Sequence, residues 1–194
     1  MRKTFPLSEM SLKRTLILIL FLLCEMVWAS DAVAPAPQFT EGNQLLRPEG
    51  YREWVYLSSG LGMSYGKAGY DEHPDFTNVF INPTAYREFV RTGKFPDGTI
   101  FVLEIRSSES KGSINQGGQY QGRLVGIEAS VKDAKRFPEK WAYFGFIGSD
   151  GEALPQAKAF PKDACWKCHS EHATNDNIFL QFYPALREAR EKAK

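Results

Sequence analysis

The chain has 194 residues, with 24 Lys and Arg against 23 Asp and Glu and a formal charge of +1. That balance offers no basic excess for a nucleic-acid partner. A single apolar run near the start leaves no second stretch long enough for a membrane span.

Residues 1–30 have the layout of a secretory signal peptide. Arg2, Lys3, Lys13 and Arg14 make a basic start, Thr15 to Val27 form a short apolar run, and small residues follow at Ala29, Ser30, Ala32 and Ala34. The pattern predicts export to the periplasm with cleavage near Ala29, the alternative being after Ala32. Loss of residues 1–29 removes four basic and two acidic residues and leaves a charge of −1. Cys24 follows the large Leu23 rather than a small residue, which argues against a lipoprotein anchor. The mature chain, about 165 residues, suits one domain with its own core.

Residues 31–47 are rich in Pro and polar residues and read as an extended leader. Residues 48–194 read as the domain. Glu49 to Trp54 suits a short helical turn, and Val55 to Ser58 and Phe76 to Ile81 read as strands. Asn82 is a good N-cap, Pro83 fits the first helical position, and Gly93 ends the helix, with Tyr86, Phe89 and Val90 on its buried face. Thr99 to Ile105 is a β-branched and aromatic strand. Residues 107–120 are Gly- and Ser-rich, hence a loop. Leu124 to Val131 and Trp141 to Ile147 read as two further strands, with a turn at Ser149-Asp150-Gly151. Asp163 to Lys194 reads as mostly helical, bent at Pro184, with Ile178, Phe179, Phe182 and Leu186 on one face. The fold class is α+β: a mainly antiparallel β-sheet with a few helices, one of them near the C-terminus.

The helix near the C-terminus carries Cys165-Trp166-Lys167-Cys168-His169 and is read on that ground as haem-binding. Two thiols three residues apart can each add across a vinyl group of one haem, and the following imidazole then lies beneath the iron. The pattern predicts one covalent haem c, bound through Cys165 and Cys168, with His169 as the iron ligand. Three other readings compete. A redox-active dithiol usually opens a helix after a strand in a βαβ unit. A simple disulfide would close a very short loop. A zinc site could draw on Cys165, Cys168, His169 and His172, but adjacent ligands strain a tetrahedron. The sixth iron position decides the chemistry, since a methionine there makes an electron-transfer centre and an open site binds small molecules. Met63 is the methionine left after cleavage, and His73 is the remaining histidine on the far side of the sequence from the motif. Both read better as surface or packing residues, which favours an open site.

Several segments together resemble the cytochrome P-460 family, which includes the β-sheet cytochromes c-prime. They are GYREWVYL (50–57), TGKFPDGT (92–99), GIEASVKD (126–133), RFPEKWAYF (136–144) and CWKCHSEHATNDNIFLQFYPAL (165–186). The resemblance implies a homodimer and a five-coordinate haem that binds nitric oxide, with His169 proximal. Some members oxidise hydroxylamine or nitric oxide, passing electrons to a redox partner protein. The oxidising members link a lysine to the haem edge, and here Val90 and Arg91 stand at that place. Arginine stays protonated and is no equivalent nucleophile; Lys94 lies beyond the helix-ending Gly93. The resemblance also implies either a distal carboxylate, for which Asp150 and Glu152 are candidates, or a cap of apolar rings, for which Phe76, Phe95 and Phe101 are candidates.

Overall fold

The computed structural model describes residues 36–64 and 73–192. The signal-peptide reading of residues 1–30 lies outside them. The centre of the domain is a five-stranded antiparallel sheet in which every strand pairs with its neighbour in sequence. Its strands are β2 (Val55–Leu61), β3 (Phe76–Ile81), β4 (Ile100–Glu109), β5 (Tyr120–Lys132) and β6 (Trp141–Gly145). A two-stranded sheet joins β1 (Leu45–Leu46) to β7 (Gln156–Ala157). Among the described residues three helices complete the fold: α1 (Pro83–Thr92), α2 (Trp166–His172) and α3 (Pro184–Lys192). The α+β expectation is met.

The period-2 alternation of strands sorts the sheet into two buried faces. On one face Ile100 and Val102 of β4, Ile127, Ala129 and Val131 of β5, and Ala142 and Phe144 of β6 form a core with Leu45, Phe137 and Phe146. On the other, Phe101 of β4 and Trp141 and Tyr143 of β6 pack with Phe89, Phe95, Ile178, Leu180 and Leu186. A strand apolar on both faces belongs in the middle of a covered sheet, and β4 occupies that place. α3 lies against α1 and β2, and α2 lies against β6. No described helix is long and apolar enough to cross a membrane.

Several elements depart from their expected form. The described part of the Pro-rich stretch 31–47, from residue 36, is more than a leader, since Phe39 bridges Leu45 and Leu45 is fully buried in the first core. Asn82 precedes α1 as expected, but its side chain does not cap the helix. Its Oδ1 accepts from Ile100 N–H at 2.9 Å and its Nδ2 donates to Gly98 C=O at 3.2 Å, so it secures the start of β4 instead. Val90 is exposed, and Ala85 takes its place beside Phe89 on the buried face of α1. The predicted loop 107–120 is shorter, because β4 runs on to Glu109 and β5 begins at Tyr120. The C-terminal part is mostly helical, as expected, but in pieces: an irregular stretch separates α2 from a 3₁₀ turn at Leu180–Phe182, and Pro184 starts α3 rather than bending it. Proline at a first helical position loses no intrahelical bond.

One charge is buried in the first core's margin. Glu104 is 3% exposed and accepts from the Tyr51 hydroxyl at 2.5 Å, from Arg106 Nε at 2.6 Å and from Arg52. Burial pushes its pKa up, but the hydrogen bonds from Arg106, Tyr51 and Arg52 outweigh that and hold it below the ordinary value. A depressed carboxylate pKa stabilises the fold above the unfolded value, about 4.3, and the gain is lost as pH falls through the folded pKa. Glu104→Gln is therefore expected to cost about 2 kcal/mol at pH 7, the scale of charged hydrogen bonds. In urea unfolding the difference from the unaltered protein should shrink as pH drops below about 4.

Candidate functional site

The segment that opens α2 carries the reactive residues. Cys165 stands at the helix N-cap, and Cys168 follows one turn later on the same side. Both are free thiols and half-buried. His169 N–H closes the first turn on Cys165 C=O at 3.1 Å. A helix of seven residues is too short to be stable alone, and side chains pin it at both ends. At the start, Trp166 Nε1 donates to Glu139 C=O at 3.3 Å, and Lys162 pairs with the Glu139 carboxylate at 3.1 Å. At the end, Gln181 Nε2 donates to His172 C=O at 3.1 Å while its Oε1 accepts from Thr174.

His169 is held on three sides. Its ring lies 4.4 Å from the ring of Tyr143 on β6 and 4.4 Å from that of Phe179. Its Nδ1 is 2.8 Å from Asn177 C=O. A carbonyl oxygen can only accept, so Nδ1 carries the proton. Burial lowers the pKa of His169, with the bond to Asn177 partly opposing. The imidazole is thus neutral, with the lone pair on Nε2, the form in which histidine ligates a metal.

The Cys165 thiol is unlike the reactive thiol of a redox pair. Burial raises the pKa of Cys165, and the charges of Glu128 and Cys168 raise it further. Redox-active dithiols have depressed pKa values. Among the described residues no three His, Cys, Asp or Glu side chains converge as a metal cage. His172, in the zinc alternative, is exposed beside Glu171.

Glu128 is the residue that the sequence reading missed. It stands on β5 opposite Leu103 of β4 and Gly145 of β6, on the sheet face shared by Tyr143 and Phe101. Solvent reaches its carboxylate, yet the surrounding protein raises its pKa by desolvation. A side chain at Gly145 would strike Phe160, whose ring end comes within 2.6 Å of the Cβ position. Phe160 and Phe182 remain 41% and 45% exposed in this neighbourhood. Two free thiols, a neutral histidine with an available Nε2, and large rings turned to solvent fit a flat apolar group carried by the 165–169 segment. Haem meets that description.

The other predicted candidates fall elsewhere. Phe76 pairs with Arg106 on the opposite face of the sheet from Tyr143. Phe95 stacks on Phe89 at 4.3 Å and Phe101 on Tyr183 at 6.0 Å, so both are core. Asp150 and Glu152 are exposed turn residues, with Asp150 Oδ1 accepting from Glu152 N–H. Met63 is 53% exposed beyond β2, at the sheet edge remote from β6, and His73 is exposed ahead of β3. Neither is among the rings packed on His169. Arg91 pairs with Glu88 on α1 at 2.7 Å, and Lys94 is exposed after it.

A search of the curated proteins returned no match. A family model described as Cytochrome P460 matches residues 48–180, which takes in the whole five-stranded sheet, α1 and the Cys165–His169 segment. The chain belongs to the cytochrome P460 family and is a haem-binding cytochrome of that kind.

Proposed function

We propose that this chain is an exported, periplasmic c-type cytochrome with one covalent haem. Cys165 and Cys168 each add S–H across a vinyl C=C, forming an S–C bond while the hydrogen passes to the adjoining carbon. His169 Nε2 is the proximal ligand, and the opposite iron face takes small nitrogen ligands, nitric oxide foremost. The observation that carries the reading is the state of His169: neutral, protonated at Nδ1 against Asn177 C=O, and one residue from a thiol. The haem, when bound, supplies an iron that coordinates a diatomic ligand and exchanges one electron.

The chain's own residues determine what may approach. Phe160, set against Gly145, offers apolar surface, which favours uncharged gases over anions that must shed water. Val90 and Arg91 replace the lysine expected of the oxidising members. Both are exposed on α1, and this supports binding over oxidation. In the unaltered protein, haem is expected to survive acid–acetone extraction, while the Cys165→Ala, Cys168→Ala double variant should release it. Free extraction from the unaltered protein would defeat the proposal. His169→Ala should change the spin state and the nitric oxide spectrum sharply. His172→Ala should leave both unaltered, because the His172 side chain is 68% exposed and turned toward Glu171.

A second reading, hydroxylamine oxidation, is favoured by Glu128 alone. Hydroxylamine gives up electrons to an external redox partner protein and protons to a base, and the Glu128 carboxylate is a base on the sheet face against which His169 packs. Its pKa is raised, so it stays protonated above the usual carboxylate range and accepts a proton only once pH exceeds the raised value. Hydroxylamine-dependent reduction of an electron acceptor should then climb with pH through that value, and Glu128→Gln should flatten the climb and lower the rate by about 10²-fold. If the unaltered protein reduces no acceptor, this second reading falls and ligand binding stands. The chain is expected to work as a homodimer, which sedimentation of the haem-loaded protein reads directly.

A further inference from the structure

The Asn177 carbonyl does not reach His169 by accident of loop packing. Residues 175–178 form a tight turn in which Ile178 N–H donates to Asn175 C=O at 2.8 Å. Asp176 and Asn177, its two central residues, both have positive φ, 47° and 61°. That is the backbone pattern of a type I′ turn, and Asp and Asn are the side-chain-bearing residues that tolerate it best. Two left-handed residues in succession are still unfavourable without an outside hold.

The hold comes from the sheet. Asp176 Oδ2 accepts from Lys132 Nζ at 2.6 Å, and its Oδ1 accepts from Trp141 Nε1 at 3.2 Å. Lys132 and Trp141 are cross-strand partners on β5 and β6. Lys132 also donates to Phe95 C=O at 2.7 Å, and its side chain is 16% exposed. The Tyr143 hydroxyl donates to the same Asn177 oxygen at 3.4 Å. An aspartate thus ties a strained turn to two rigid strands, and the next residue of that turn presents its oxygen to His169.

We propose that Asp176, held by Lys132 and Trp141, is a positioning residue for the iron. It fixes the Asn177 carbonyl on His169 Nδ1–H and thereby sets how strongly His169 Nε2 donates to the haem. This rests on the reading of His169 as proximal ligand. An imidazole whose second nitrogen donates to a carbonyl is a more basic ligand. Stronger donation favours ferric over ferrous iron and stiffens the iron–nitrogen bond. Loosening the turn should do the reverse.

The test uses the haem-loaded full chain and two readouts that packing alone would not move: the iron–histidine stretching frequency of the ferrous protein and the reduction potential. Asp176→Ala removes both side-chain bonds. It should lower the stretching frequency and shift the couple toward ferrous iron by about tenfold, about 59 mV for one electron. Asp176→Asn keeps an acceptor for Trp141 Nε1–H and should fall between. Should Asp176→Ala not yield loaded protein, Trp141→Phe keeps a ring in the core and removes one donor to Asp176. It should shift both readouts in the same direction by less. A lowered melting temperature with unchanged frequency and potential in the obtainable variants would overturn the proposal and leave Asp176 a structural residue. Absence of any iron–histidine band in the unaltered ferrous protein would instead overturn the ligand assignment, and the proposal with it.

Discussion

The hydrogen bond from His169 Nδ1–H to Asn177 C=O is the interaction on which the site depends. It selects one tautomer, orients one ring and leaves one nitrogen available. Everything needed to make it comes from separate parts of the chain: α2 supplies the donor, the 175–178 turn the acceptor, and β6 the ring of Tyr143 against which the imidazole lies. A short helix with two cysteines could take many orientations relative to the sheet. Fixing the imidazole to a carbonyl, and the indole of Trp166 to Glu139 C=O, reduces these to one.

The division of the sheet into two faces explains why the site can be open without weakening the fold. The face bearing Val102, Ile127 and Phe144 is closed by residues from β1, β7 and the 133–140 loop, and Glu104 with its arginine and tyrosine partners is satisfied at its margin. The opposite face is closed by α1, α3 and the 178–183 segment over Phe101 and Trp141. Toward Gly145 and Glu128 that covering thins, and Phe160 remains partly exposed. Tyr143 joins core and site: it is buried in the second core and carries the His169 ring against it.

The legible part of the sequence was the part whose signal is local. The placing of Cys165, Cys168 and His169 along one helical turn follows from their spacing, and the Asn82-Pro83…Gly93 boundaries of α1 follow from backbone preference, so both placements could be read without tertiary knowledge. The illegible parts depend on register. Glu128 lies in a strand correctly read, but its cradle-facing direction follows from the pairing with Gly145, which no spacing reveals. Phe76 failed as a ring candidate for the same reason, since even-numbered positions on β3 face the other core. Asn82 was read correctly as a boundary and wrongly as a side-chain cap, because the start of β4 competed for the same amide. The Asp176-Asn177 pair did carry a local signal, the preference of Asp and Asn for left-handed turns. It was obscured by the apolar periodicity of Ile178, Phe179 and Phe182, which mimics a helix face.

The placement of the two carboxylates, Glu104 and Glu128, then bears on chemistry. Each stands on a central strand of the same sheet, one on either face. Glu104 has cationic partners that hold its pKa down, so it remains a fixed charge. Glu128 is raised by desolvation. A carboxyl in that condition can change its protonation in response to what lies beside it, whereas Glu104 cannot do so near neutrality. The two carboxylates thus differ in what surrounds them: two arginines and a tyrosine hydroxyl hold Glu104 ionised, whereas Glu128 stands opposite Gly145 on the face against which His169 packs, and desolvation alone drives its shift.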